Sequence, residues 1–148
     1  MTKEQFIDQL LHDVYCRIMP SVAPNGFLRG VGVFAIKDIP AGTNPFVGCD
    51  DTEYHPIPLS EFPKDIPSAV FDLMKDMLVL DDEDNFWFSD RGIQGIDISY
   101  FLNHSKTPNM VADPLGENFF ASRDIKAGEE LTVNYDTYDS QPNEEFRK

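Results

Sequence analysis

The segment Phe34-Ala35-Ile36-Lys37-Asp38-Ile39-Pro40-Ala41-Gly42 recurs as Phe120-Ala121-Ser122-Arg123-Asp124-Ile125-Lys126-Ala127-Gly128. Each copy reads as a short strand running into a turn that ends in Ala-Gly, where glycine supplies a positive φ that other residues resist. Two copies so far apart are not a solenoid, which needs several adjacent repeats. They predict a folded-back sheet assembly with related halves. Short strands, many turns and only two helical stretches make the expected fold mainly β.

Length and charge narrow what such a sheet assembly can do. The 148 residues fit one domain, 1–148, and are too few for two full cores. A formal net charge of −14 repels phosphate backbones, so no direct nucleic-acid contact is expected, and a basic protein or peptide suits the surface better. Cys16 and Cys49 alone provide neither a disulfide scaffold nor a Cys-rich zinc cluster, and reduced thiols fit an intracellular setting, cytoplasmic or nuclear. No apolar run is long enough for a membrane span or a signal peptide, so no membrane partner is expected.

Along the chain, Phe6, Ile7, Leu10, Leu11, Val14 and Ile18 fall at three-to-four spacing behind a Thr2/Gln5 capping box, which predicts an amphipathic N-terminal helix over 2–18. Its apolar stripe is expected to pack on its own domain. Beyond Pro20 and the Pro24-Asn25-Gly26 turn, Val31, Val33, Phe34 and Ile36 read as strand. A second helix is expected within 60–80, opened by Pro67 at its first position, with Val70, Phe71, Met74, Met77 and Leu78 on one face. Asp81-Asp82-Glu83-Asp84 lacks the glycine and terminal glutamate of a calcium loop and reads as a turn into the aromatic strand Phe86-Trp87-Phe88.

Three elements suggest chemistry. Gly30 and Gly32 stand one residue apart in a strand, which suits close approach by a ligand or another backbone, or a β-bulge. Asn103-His104-Ser105-Lys106-Thr107-Pro108-Asn109 offers an amide with both donor and acceptor after an apolar entry. Glu129-Glu130-Leu131-Thr132-Val133-Asn134-Tyr135 delivers a tyrosine at a strand end. In this order and over residues 27–138, the three resemble the SET-domain family: Gly-x-Gly, then Asn-His-Ser-x-x-Pro-Asn, then Glu-Glu-Leu-Thr-x-x-Tyr.

That resemblance implies a SET-domain β-clip of short sheets with a C-terminal pseudoknot, an N-terminal helix over 1–20 and a helical insert within 51–95. Strands of the family then occupy 27–50 and 96–138, with a tail at 139–148. It implies a protein-lysine N-methyltransferase that uses S-adenosylmethionine. By the same analogy Arg29, Gly30 and Gly32 hold the methionine part, Asn103 the amino acid portion and the backbone of His104 the adenine, with Tyr138 or Phe146 as an aromatic cover. Tyr135 is the implied catalytic residue, and Phe46 and Val133 line the implied lysine channel.

This chain also departs from the family pattern. Phe46-Val47-Gly48 replaces Tyr-x-Gly, removing a channel hydroxyl. Lys106 stands where a cysteine is frequent, so the zinc-bound lid of many relatives cannot form and no metal is expected. Tyr100 takes the place of a common arginine, and the small Val133 permits multiple methylation sterically. The rival readings are a noncatalytic β-clip binding module, favoured by Phe46, and an acidic partner-binding domain that mimics nucleic acid. Substrate and oligomeric state are left open, the N-terminal helix being the surface for a homodimer contact.

Overall fold

The computed structural model describes residues 1–46 and 53–138. Three small sheets, two α-helices and four 3₁₀ turns make up the regular structure of these residues. Helix α1 (Lys3–His12) opens with the expected capping box: the Gln5 N–H donates to the Thr2 hydroxyl at 3.2 Å, and the Thr2 N–H donates to Gln5 Oε1 at 2.7 Å. It stops at His12, well short of the expected residue 18. From Cys16 the chain is strand β1 (Cys16–Val22), laddered against β2 (Leu28–Ala35) from Cys16 opposite Ala35 to Val22 opposite Leu28. Pairing with β2 and burial of Cys16 outweigh the helical spacing of Val14 and Ile18.

A second expectation fails with it. No residue of α1 is buried, and Phe6, Ile7, Leu10 and Leu11 are 54%, 45%, 54% and 65% exposed. The sheet's inner side is closed instead by the 3₁₀ turn Ile98–Phe101, whose Ile98 and Phe101 pack on the core.

The first sheet has the order β1, β2, β9 (Glu130–Val133) and β6 (Asn103–His104). Pairing is antiparallel except for β6 beside β9. Pro20 sits inside β1 opposite Val31, a position open to proline because β1 is an edge strand. Strands β7 (Met110–Ala112) and β8 (Phe119–Ala121) form a hairpin beside it. Between these sheets lie the fully buried Val33, Ile39, Met110, Ile125 and Leu131.

The insert builds the third sheet, in which β5 (Asn85–Ser89) lies between β3 (Tyr54–Pro58) and β4 (Val79–Leu80). Helix α2 (Ser68–Met77) is shorter than expected, and Pro67 is its N-cap rather than its first helical residue: the Pro67 carbonyl accepts from Val70 and Phe71 N–H at 2.9 and 3.0 Å. Met74 is buried while Val70 is 44% exposed, so only part of the expected face is covered. Phe86 anchors this unit, with Phe62 and Phe71 edge-on to its ring at 6.0 and 6.4 Å. The acidic run is a turn, as expected, tied by Asp81 Oδ1 accepting from Glu83 and Asn85 N–H, both at 2.9 Å.

The repeated segments meet each other. Ile39 and Ile125 exchange both backbone hydrogen bonds, at 2.8 and 2.9 Å. Gly42 N–H donates to Ala121 O at 2.7 Å, and Gly128 N–H donates to Ala35 O at 2.8 Å, with φ of +83° and +91° at the two glycines. Each half thus supplies the acceptors for the other's turn.

Candidate active site

The two C-terminal motifs are joined in the first sheet. Asn103 and His104 pair with Thr132 and Val133, and the Ser105 N–H donates to Val133 O at 2.9 Å. The buried Asn109 holds the same strand from its other end. Its Nδ2 donates to Glu130 O at 2.8 Å, and its Oδ1 accepts from Thr132 N–H at 2.9 Å. A side-chain amide thereby replaces a missing strand partner. The pairing also brings buried His104 under Tyr135, with His104 Nδ1 accepting from Tyr135 N–H at 3.1 Å and ring centroids 5.3 Å apart. The Tyr135 hydroxyl donates to Leu102 O at 2.5 Å.

The glycine pair sits at an irregularity of the first ladder. Pro20 faces Val31 and Val22 faces Leu28, so Arg29 and Gly30 together oppose Ser21. That is a β-bulge, and Gly30 carries its positive φ of +102° with open space where a side chain would go. Gly32 serves a different need. A Cβ there would collide with Glu130 Oε1 and come within 2.9 Å of Asn103 Nδ2.

A cavity of about 350 Å³ opens beside these elements. Arg29, Asn103, Tyr135 and Tyr138 all line it, although they come from the sheet's four-strand order and the turn beyond it. The insert contributes Leu78, Val79 and Trp87, and the β7–β8 connection contributes Leu115, Gly116 and Glu117. The Tyr138 ring packs against Gly116, where any Cβ would be 2.5 Å from the ring, and packs edge-on to Phe119 at 5.9 Å. Phe46 and Val133, expected in a substrate channel, do not line this cavity. Both are buried in the core, with Phe46 edge-on to Phe119 at 6.1 Å. Phe146 lies outside the described residues.

Sequence reasoning gave Tyr100 no role and missed Tyr54 altogether. Both line the cavity. Burial pushes the phenol of Tyr54 upward, reinforced by Tyr100 beside it and by Asp97 and Glu117; burial also raises Tyr100. Both are neutral phenols at physiological pH. Glu130 was likewise missed as a site residue. Its oxygens accept from Ser21 Oγ at 2.8 and 2.9 Å and from Asn103 Nδ2 at 2.7 Å, with Arg29 Nη2 at 3.7 Å. The partners lie 109 and 27 residues away from Glu130 in sequence, so no local pattern announces them.

The arrangement suits a small polar ligand with an apolar and aromatic portion. Its volume falls within the range of about 300–1,000 Å³ usual for small-molecule sites. Asn103 Nδ2 is committed to Val31 O at 2.9 Å and to Glu130, while Asn103 Oδ1 has no hydrogen-bond partner among the described residues. An acceptor left at the wall matches the amino group of S-adenosylmethionine, and Tyr138 provides an aromatic ring. The residues present therefore fit that cofactor.

Small sheets, mostly strand content and two motifs braided through one parallel pair define a mainly β fold of the SET type. The SET domain family profile matches residues 30–136, and the chain belongs to the SET-domain family. A crystal structure of a candidate histone methyltransferase from Plasmodium falciparum is similar at 17% identity, covering 82% of this chain and 93% of that one, with a TM-score of 0.47. A humanized mutant of the Chaetomium thermophilum Polycomb Repressive Complex 2, bound to an inhibitor, matches at 23% identity and a TM-score of 0.53. That match covers 95% of this chain but 19% of the other. The second likeness is one of fold. Among curated protein sequences, none matches this chain. No helix among the described residues is long and apolar enough to cross a membrane.

Proposed function

We propose that this protein transfers a methyl group from S-adenosylmethionine to the side-chain amine of a lysine in a basic protein, histone-like or ribosomal in character. The observation that carries the reading is the shared cavity, whose wall joins Asn103 of one motif to Tyr135 of the other. When bound, the cofactor supplies an electrophilic sulfonium methyl. The protein's task is then alignment and a neutral amine, with no nucleophile of its own required.

Asn103 and Arg29 would hold the polar end of the cofactor and Tyr138 its aromatic end. The hydroxyl of Tyr135 is fixed by its bond to Leu102 O, which holds the phenol at the cavity wall where an incoming amine would be aligned. Apolar neighbours such as Leu102, Phe101 and Trp87 exclude water, which favours the uncharged form of a lysine. The net charge of −14 supports a basic substrate by steering it toward the surface.

Calorimetric titration of the purified protein with S-adenosylmethionine tests the reading, with Asn103→Ala alongside and Tyr135→Phe assayed on a panel of basic peptides. Saturable binding lost in the Asn103 variant, and peptide methylation lost in the Tyr135 variant, is the expected result. A wild-type protein that does not bind the cofactor is instead a noncatalytic β-clip module.

A further inference from the structure

An asparagine amide is useful for recognition only if its two ends are told apart, since oxygen and nitrogen have the same shape and opposite hydrogen-bonding sense. At Asn103 the choice is made by two acceptors: Nδ2 lies 2.9 Å from Val31 O and 2.7 Å from Glu130 Oε1. Flipping the amide would place Oδ1 against a carbonyl and a carboxylate and lose both bonds. Val31 O alone is a weak arbiter, being one neutral backbone group. The carboxylate is the stronger partner, because a charged acceptor roughly doubles the strength of such a bond.

Glu130 is itself held. Ser21 Oγ reaches both of its oxygens at 2.8 and 2.9 Å, and Arg29 Nη2 stands 3.7 Å from Oε2 while Arg29 Nε donates to Ser21 Oγ at 3.2 Å. Ser21 is fully buried, and the Glu130 side chain is 18% exposed. The network runs from β1 through β2 and β9 to β6, the whole width of the sheet. Gly32 is its clearance, since a side chain there would occupy the space of Glu130 Oε1 and Asn103 Nδ2.

We propose that Glu130 is a positioning residue for the cofactor's amino acid end: it locks the Asn103 amide with Oδ1 toward the cavity and places a negative charge behind the ammonium-binding point. This rests on the cofactor reading above. It adds the group that makes Asn103 a selective acceptor.

The experiment compares wild type, Glu130→Gln and Ser21→Ala with two ligands: S-adenosylmethionine, and 5′-methylthioadenosine, which keeps the nucleoside and lacks the amino acid. Glu130→Gln is expected to weaken S-adenosylmethionine roughly 10- to 100-fold while changing 5′-methylthioadenosine by no more than about threefold. Ser21→Ala, which removes one support of the carboxylate, follows the same selectivity with a smaller loss. Without any ligand, the Asn103 side-chain NH₂ signals in ¹⁵N spectra are expected to be slow to exchange in wild type and to shift or collapse in Glu130→Gln. Equal losses for both ligands, or unchanged Asn103 signals, overturn the positioning role. Failure of wild type to bind S-adenosylmethionine while the Asn103 signals respond as described sinks the cofactor assignment instead.

Discussion

Asp38 and Asp124 occupy equivalent places in the repeated segments, and each accepts the N–H of the other's turn: Asp38 Oδ1 from Ala127 at 3.0 Å, Asp124 Oδ1 from Ala41 at 2.9 Å. The exchange completes the backbone reciprocity of Ile39 with Ile125 and makes the two turns a single clasp. Lys126 Nζ, 3.1 Å from Asp38 Oδ2, adds an ion pair on one side.

The clasp titrates. The Ala127 N–H, then Lys126, holds the Asp38 carboxyl below its ordinary value of 3.8, and Arg123, then the Lys126 N–H, holds Glu129 below 4.5. A carboxyl whose folded value lies below its unfolded one adds stability above the unfolded value and loses it as pH falls through the folded value. Thermal melts should therefore decline from about pH 5 toward pH 3. Asp38→Asn keeps an oxygen for Ala127 but cannot titrate, so its curve should approach that of wild type as pH drops. Parallel curves would show that Asp38 is not part of the acid response.

Gly32→Ala should destabilise the fold by about 1–3 kcal/mol, the usual cost of overpacking. The collision is with Glu130 and Asn103, so the same substitution in a Glu130→Ala background should cost less. Urea denaturation of the four proteins measures the difference, and strict additivity would place the strain elsewhere.

Tyr135→Phe removes the donor to Leu102 O and leaves a buried carbonyl short of a partner, at about 1 kcal/mol of stability. Methyl transfer should fall by about 100-fold through lost alignment, while cofactor affinity stays within a few-fold. Peptide methylation assays beside calorimetry separate the two effects. An equal loss of binding would make Tyr135 part of the cofactor's own pocket.

Trp87 is the chain's only tryptophan, and it lines the cavity. Its Nε1 donates to Asp81 Oδ2 at 2.8 Å, and that carboxylate is held below its ordinary value: burial opposes this, but donors from Asn85, Trp87 and Glu83 outweigh it. The indole is thus fixed, and S-adenosylmethionine should change its emission at the concentrations that give calorimetric heat. Heat without an emission change would move the binding site away from this cavity.

Much of the fold was written locally. The Thr2 capping box and the Asp81 turn depend on residues within a few positions of each other, and they stand where the sequence places them. The motif residues Asn103 and Tyr135 were legible for a different reason, as a spaced pattern shared with a family. What escaped depends on distant partners. Val14 and Ile18 carry helical spacing, yet the strand opposite Cys16–Val22 decides their neighbourhood, and Pro20 reads as a break until β1 is known to be an edge. Glu130 carries no local sign of its role, because its partners Ser21, Arg29 and Asn103 lie elsewhere in the chain.

The reciprocal clasp also bears on how the chain is made. Its two aspartate bonds join residues 83 and 89 positions apart, so the first turn cannot join the clasp when it is synthesised. At about 5–20 residues per second, the first turn waits roughly 4–18 s outside the ribosome for its counterpart. During that interval β2 lacks β9, and its inward side chains Val33 and Ala35 have no sheet to bury them. The slow, loop-closing step of folding is therefore the arrival of Asp124, and early chaperone contact is expected on the strand that waits for it.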